Sequence, residues 1–381
     1  MDGNGGAPRA LIVGAGIAGL AAAGAIRGIG WDVDIIERRA SFGVAGTGLF
    51  LPANGVRALA ALRVLDGLVG RGAAITRLLV RSADGVVEGA ANLDQVWPGV
   101  GPSVAVHRSV AHEALLEAAP SPIQMGAGLA DLVAAGSEVE VLLADDSAAR
   151  YDLLVGADGV DSTVRRLIWP DCPARYTGES YWRGIVASRA GVEDWTLSLC
   201  RAGNFLVIPV GSGMAYWAAM TTTDFAFRDE PAGRAQRVRD RFGDLAGPPR
   251  DVLDQITDDA SVQFSAADQA WVENPVAGRI VLVGDAWHGT SPSMAQGGAM
   301  AAEDALVLVA ELGRREFAGP DPVGDALGRY VARRLPRLRH VRETTAMRTS
   351  LASLPLEQRL GVVPAWEDIS VRSFAPLVPG P

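Results

Sequence analysis

The sequence predicts an α/β fold: a dinucleotide-type body of parallel strands and helices, interrupted by a second, sheet-based region. Three observations predict it. A short apolar strand runs directly into Gly-Ala-Gly-Ile-Ala-Gly at Gly14–Gly19. Two later apolar strands end on acids, in "DLLVGADG" and "RIVLVGDA". Between them, from about 171 to 269, Tyr, Trp, Phe and Thr fall in alternating runs, the pattern of antiparallel strands.

The elements follow in order. Residues 10–14 read as a buried strand, 17–29 as a helix of small residues and 32–37 as a second strand. A glycine-rich loop, "SFGVAGTGLFLP", leads past Pro52 into a helical stretch, "ANGVRALAALRVLDGL". Residues 76–106 suggest short strands with a turn at Asp84-Gly85. "SVAHEALLEAA" reads as a helix with Ser109 as its cap. Residues 129–156 look like strands. After the aromatic sheet come helical segments with a "GPPR" break at 247–250, then a buried strand from 279 and long helices.

Composition narrows the function. The chain has 381 residues, enough for more than one domain, and its hydrophobic content is 49%. A formal net charge of −9 argues against a nucleic-acid surface. The Arg-rich run "RYVARRLPRLRHVRE" reads as the solvated face of a helix. All 35 basic residues are Arg, which excludes a Schiff-base lysine and the GxxxxGK phosphate loop. The four histidines form no HExxH, the two cysteines lack zinc-site spacing, and no GxSxG elbow occurs. Two cysteines and no secretory leader pattern suit a reducing, cytoplasmic setting, although one disulfide stays open. The apolar segment after residue 10 fits strand–turn–helix better than a membrane span.

The Gly14–Gly19 motif sits where a dinucleotide fingerprint requires it. Gly14 permits the tight turn, Gly16 lets the backbone approach a pyrophosphate, and Gly19 lets helix and strand pack closely. Glu37 ends the second strand about 20 residues on, placed to accept ribose hydroxyls and to repel a 2′-phosphate. FAD or NAD is therefore expected there. Asp158 and Asp285 end the two later strands. Asp285 suits sugar-like hydroxyls, and the helix starting near Gln296 suits negative charge.

Together, GxGxxG with Glu37, Asp158-Gly159 and Gly284-Asp285 resemble the single-component FAD-dependent aromatic monooxygenases of the para-hydroxybenzoate hydroxylase fold. The order covers nearly the whole chain. The resemblance implies a Rossmann-like FAD-binding domain with an interleaved β-sheet substrate domain and C-terminal helices. Its implied boundaries are 1–72, 103–170 and 270–350 for the FAD domain, 73–102 and 171–269 for the sheet domain, and 351–381 for a tail.

The resemblance also implies roles. Gly14, Gly16 and Gly19 would hold the FAD pyrophosphate and Glu37 the adenosine ribose. Arg38 would lie near the adenosine, Arg108 would contact FAD, Asp158 would act near the pyrophosphate, and Asp285 would bind the ribityl chain. Pro292 would line the reaction face. The amides of Gly297 and Gly298 would face the N1–C2 carbonyl edge, where a helix start stabilises anionic reduced flavin. NADPH or NADH would be a transient co-substrate. With O2 the flavin would form a C4a-hydroperoxide and hydroxylate an aromatic or heteroaromatic small molecule in a pocket that excludes water. His288 is a candidate acid or base, with a packing role favoured.

Two residues depart from the family pattern beside the flavin: Trp287 where relatives carry a small residue, and Ala295 where they carry Gly. On the substrate side the candidates are Trp182, Arg183, Asn204 and Tyr216, with Tyr181 and Trp217 on the same strands. Alternation forbids Trp182 and Arg183 from sharing a face. No general base for a phenol stands out. Epoxidation or Baeyer–Villiger oxidation on the same scaffold, a non-catalytic FAD-binding protein and a plain NAD dehydrogenase are the competing readings. A flavin halogenase is set aside because it needs a lysine. No nucleic-acid partner or membrane span is expected, and the protein is expected to be a monomer or weak homodimer.

Overall fold

A computed structural model describes residues 6–43, 46–68, 70–119, 121–188, 192–314 and 321–381. Val44 and Ala45 of the glycine-rich loop lie outside the described residues.

A six-stranded sheet forms the nucleotide side. Its order is Val276–Ala277, Ile280–Leu282, Leu153–Gly156, Arg9–Val13, Asp32–Glu37, Ile123–Met125. All pairs are parallel except the first. Its central strands are apolar on both faces because the helix Ile17–Gly28 covers one and the three-stranded sheet Leu129–Ala135, Glu138–Leu143 and Ala148–Tyr151 packs on the other. Arg9–Val13 and Leu153–Gly156 are accordingly almost wholly buried. The helix Ile17–Gly28 packs on Gly297–Leu312, which also touches Ala53–Ala61 and the long helix Pro322–Ala352.

The second large sheet has seven strands: Gln263–Gln269, Arg175–Ala187, Met214–Thr222, Gly203–Gly211, Trp195–Cys200, Arg77–Ser82 and Val87–Asn92. It draws strands from two separate stretches of chain. It is antiparallel as expected, except that Trp195–Cys200 runs parallel to Arg77–Ser82. One face joins the main core. The other packs Trp182, Phe205 and Trp217 against Val238, Phe242 and Leu253.

Several local expectations differ. The helix from Ala53 stops at Ala61, and Arg63 takes φ +60°, a left-handed conformation that ends an α-helix. His107, not Ser109, caps the helix Arg108–Ala118; its Nδ1 accepts from Ser109 N. "GPPR" starts a helix, Pro248–Leu253, instead of breaking one, because proline is tolerated in the first turn. The two cysteines are both free.

Candidate active site

Gly14 has φ +107°, and a Cβ there would fall 2.6 Å from Ala157 O, so only glycine permits this crossing of two strands. At Gly16, by contrast, a Cβ would meet nothing within 4 Å. Gly16 caps Ile17–Gly28 without a side-chain bond, which leaves the first-turn amides free for an acceptor. Glu37 closes the turn from the neighbouring strand: Oε2 accepts from Ala15 N (3.1 Å) and Oε1 from Arg39 N (2.9 Å). His112 Nε2 stands 2.9 Å from Ala15 O. Arg38 and Arg108 are exposed at the rim.

Asp158 Oδ2 accepts from Thr163 N (2.6 Å) and Val164 N (3.2 Å), while Oδ1 is buried without a partner. Asp285 is exposed although its neighbours on both sides are buried. Gly284, at φ +57°, lies against Ala18 of the first glycine turn, where a Cβ would come within 2.7 Å of the Ala18 Cβ. Asp285 Oδ1 lies 3.7 Å from the position a Cβ would take at Gly297. The two strand-end motifs therefore converge on one place.

Gly297–Leu312 starts there with no side-chain cap and no acid in its first turn. Its N-cap residue, Gln296, is instead held by Asn54, whose Nδ2 donates to Gln296 Oε1 and Glu303 Oε1, both at 3.0 Å. Uncapped helix starts at Gly16 and Gln296, carboxylates at two strand ends and the orphan Asp158 Oδ1 fit a dinucleotide flavin. The first helix start suits a pyrophosphate, and the second suits a flavin edge that gains negative charge.

The large sheet sorts the substrate-side candidates. Pairing places Tyr181, Met220 and Asn204 in one row, and Arg183 opposite Ala218. Glu179, Tyr181, Arg183, Asn204 and Tyr216 thus share the face toward the nucleotide side. A Cβ at Gly48 would strike the Tyr216 ring at 2.5 Å, so that strand is in direct contact with it. Arg183 and Arg108 both favour ionisation of the Tyr216 hydroxyl electrostatically, but burial outweighs them and raises its pKa. Arg183 also donates to Ser265 Oγ (3.0 Å) and lies 4.6 Å over the Tyr181 ring.

Trp182 is on the opposite face. It is buried against Phe227 and Phe264, and its Nε1 donates to Asp229 Oδ2 (3.0 Å). Strand parity removes it, with Trp217, from the candidate pocket. Asn204 is on the correct face, but its Oδ1 accepts from Arg359 Nη1 (2.7 Å), so it anchors the C-terminal helix Leu356–Val362.

Pro292 opens a short 3-10 turn, Pro292–Met294, capped by Ser291, whose Oγ accepts from Ser293 N (3.3 Å). Ala295 follows with φ +52°. This left-handed conformation is one that an L side chain adopts only with strain. Ser291 also donates to Glu179 Oε2, and Tyr181 donates to the same oxygen at 3.1 Å. Sequence reading missed Glu179 and Asn54, and read Gln296 only as a helix start. An acid in an alternating strand and an amide in a helix carry no motif.

Beneath the site lies a buried ionic network. His288 Nε2 is 2.7 Å from Asp304 Oδ2, and Asp304 also binds Gly284 N and Arg334 Nε, each at 2.8 Å. Arg334, fully buried, reaches Glu303 as well (2.8 Å), and Arg337 adds two more bonds to Glu303. Burial alone would raise the Asp304 pKa, but His288 and Arg334 hold it below the usual carboxylate value. His288 is therefore buried within this network, with Nε2 engaged by Asp304. Trp287 is fully buried too, with Nε1 donating to Val272 O (2.8 Å) and its ring against Tyr330. It fills the core. The Arg-rich run is corrected as well. Its inner side neutralises Glu303, Asp304 and Glu311, because a long helix beside acidic Gly297–Leu312 must supply counter-charges.

Comparison with known proteins shows the family. The FAD binding domain family model matches residues 8–345. Aurachin C monooxygenase/isomerase of Stigmatella aurantiaca is 30% identical over 331 residues, covering 86% of this chain and 85% of that protein. 3-Amino-4-hydroxybenzoate 2-monooxygenase of Streptomyces cremeus is 31% identical, covering 87% and 84%. The crystal structure of Klebsiella pneumoniae HpxO complexed with FAD and uric acid superposes with a TM-score of 0.84 at 24% identity, covering 97% and 95%. The chain belongs to the FAD binding domain family and is a flavin-dependent monooxygenase of the para-hydroxybenzoate hydroxylase fold.

Proposed function

We propose that the protein hydroxylates an aromatic or heteroaromatic small molecule held between the Pro292 turn and the inner face of the seven-stranded sheet. Bound FAD supplies the redox chemistry that draws on NAD(P)H and O2. The carrying observation is strand parity, which turns Glu179, Tyr181, Arg183 and Tyr216 together toward the nucleotide side.

The chain's own residues divide the work. Gly14, Gly16 and Gly19 with the Ile17–Gly28 helix start hold the pyrophosphate, and Glu37 takes ribose hydroxyls in place of its present bonds to Ala15 and Arg39. Arg38 lies by the adenosine and Arg108 at the flavin rim. Asp158 offers its free Oδ1 near the pyrophosphate, and Asp285 holds the ribityl hydroxyls. The Gly297 and Gly298 amides stabilise charge on the flavin edge. Pro292 orients the ring to be oxidised. Arg183 and Tyr216 hold its polar substituents, and residues 73–102 and 171–269 exclude water.

Among the described residues no helix is long and apolar enough to cross a membrane. The test is to purify the holoprotein and screen aromatic ligands for faster NADH or NADPH oxidation, with peroxide measured alongside. Coupled oxygenation of a ligand supports the reading. Absence of any ligand-dependent oxidation would favour a binding-only protein.

A further inference from the structure

The sequence offers no base for an ionising substrate hydroxyl, and the structure supplies a group that no motif marks. Glu179 is fully buried, yet among the described residues it makes no ion pair. A buried carboxylate without a cation is costly unless hydroxyls or a proton compensate it. Two hydroxyls, from Tyr181 and Ser291, converge on Oε2, while Oε1 has no hydrogen-bond partner.

The groups facing Glu179 come from every element around it. Its own strand gives Tyr181, with the Arg183 guanidinium over that ring. The flavin-side turn gives Ser291, and the long C-terminal helix gives the Thr349 hydroxyl. The flanking strand partners, Thr222 opposite Glu179 and Ser265 opposite Tyr181, are uncharged. Burial dominates and raises the Glu179 pKa from its ordinary value, with Ser291, Tyr181 and Thr349 pulling the other way. Burial and the Glu179 charge hold the Tyr181 hydroxyl well above its ordinary value, so Tyr181 remains a donor.

We propose that Glu179 is a positioning residue that takes up a proton for the pocket through Ser291, the residue next to Pro292. Ser291 Oγ passes its proton to Glu179 Oε2 and is reprotonated by the substrate hydroxyl or by a water beside it. One O–H bond breaks on the substrate and one forms on Glu179. The negative charge moves from the buried carboxylate to the substrate oxygen, where Arg183 stands, and no electrons are exchanged. The same Ser291 caps the Pro292 turn, so proton uptake and turn geometry are coupled.

This inference rests on the inner sheet face being the substrate wall, and one experiment separates the two. The FAD holoprotein is titrated with 4-nitrophenol in weakly buffered solution at a pH where the free probe is anionic. Difference spectra report the probe's ionisation state, and pH change reports protons taken up. The wild type should bind the phenolate form with uptake approaching about one proton per site. Glu179→Gln should bind phenolate without uptake, and Glu179→Asp should retain it. Equal uptake in wild type and Glu179→Gln overturns the proposal. If Glu179→Gln does not fold, Tyr181→Phe serves. It removes one donor to Oε2, so the pH range of uptake should move upward, and an unmoved range overturns the proposal. Failure of the wild type to bind the probe at all contradicts the substrate-wall reading itself, and the proposal with it.

Discussion

His288 and Asp304 share a hydrogen bond of 2.7 Å in a place from which water is excluded. The relationship ties the strand-end Gly-Asp motif to the helix Gly297–Leu312, because Asp304 also holds Gly284 N. A polar network this buried is stable only when every member is satisfied. Arg334→Met should therefore cost about 3–5 kcal/mol of unfolding free energy, since Asp304 and Glu303 lose their inner partner. His288→Asn should lower stability more than it changes the turnover of protein that remains folded. Chemical denaturation read against flavin-dependent turnover checks both.

The acidic groups predict a pH dependence with a definite sign. Burial raises the Glu311 pKa, but bonds from Arg333, Arg329 and Arg314 outweigh it and hold the group at about 2. A lowered folded value means that stability is present above the unfolded value, near 4.5, and is lost as pH falls toward 2. Glu311→Gln should flatten the acid limb of a melting-temperature profile. Glu179 has the opposite sign, because its raised value removes stability as pH rises through it. Glu179→Gln should thus melt progressively higher than wild type as pH increases.

Ala295 makes a small, local prediction. Its φ of +52° lies where an L side chain is strained. Ala295→Gly should stabilise the fold by roughly 0.5–1 kcal/mol, the strain relieved exceeding the extra chain entropy. A denaturation midpoint that falls would contradict this.

Neighbours on one strand should behave as opposites. Arg183→Ala should raise the KM for an aromatic substrate and leave the melting temperature nearly unchanged. Trp182→Ala should cost about 3–5 kcal/mol of stability, because it empties a core against Phe227 and Phe264. Steady-state kinetics and melting curves on the pair test the strand parity directly.

Asp285 carries the cofactor prediction. It stands exposed at the start of the Gly297 helix, against the first glycine turn. Asp285→Ala should weaken FAD retention through gel filtration. Undiminished flavin content would contradict its place at the ribityl chain.

Much of this was legible in the residues, for physical reasons. Gly14 and Gly284 mark positive-φ crossings where a Cβ would clash, so the two glycine turns that meet in the fold showed in the sequence. The aromatic strands showed by alternation, but alternation does not say which face is inward. That is why Trp182 and Arg183 could be separated yet not assigned. The Arg-rich helix misled because its charges look solvated until Glu303, Asp304 and Glu311 are seen on the helix beside it. Glu179 was invisible because its chemistry comes from Ser291, 112 positions away in the chain.

The central claim is that an aromatic molecule is oxygenated against the sheet face bearing Arg183 and Tyr216. The most direct measurement supplies isotopically heavy O2 and NAD(P)H to the holoprotein with an aromatic ligand that stimulates oxidation, and weighs the product. The prediction is one heavy oxygen atom in the product, with the yield falling in Arg183→Ala. Stimulated oxidation that ends wholly in peroxide for every such ligand would contradict it.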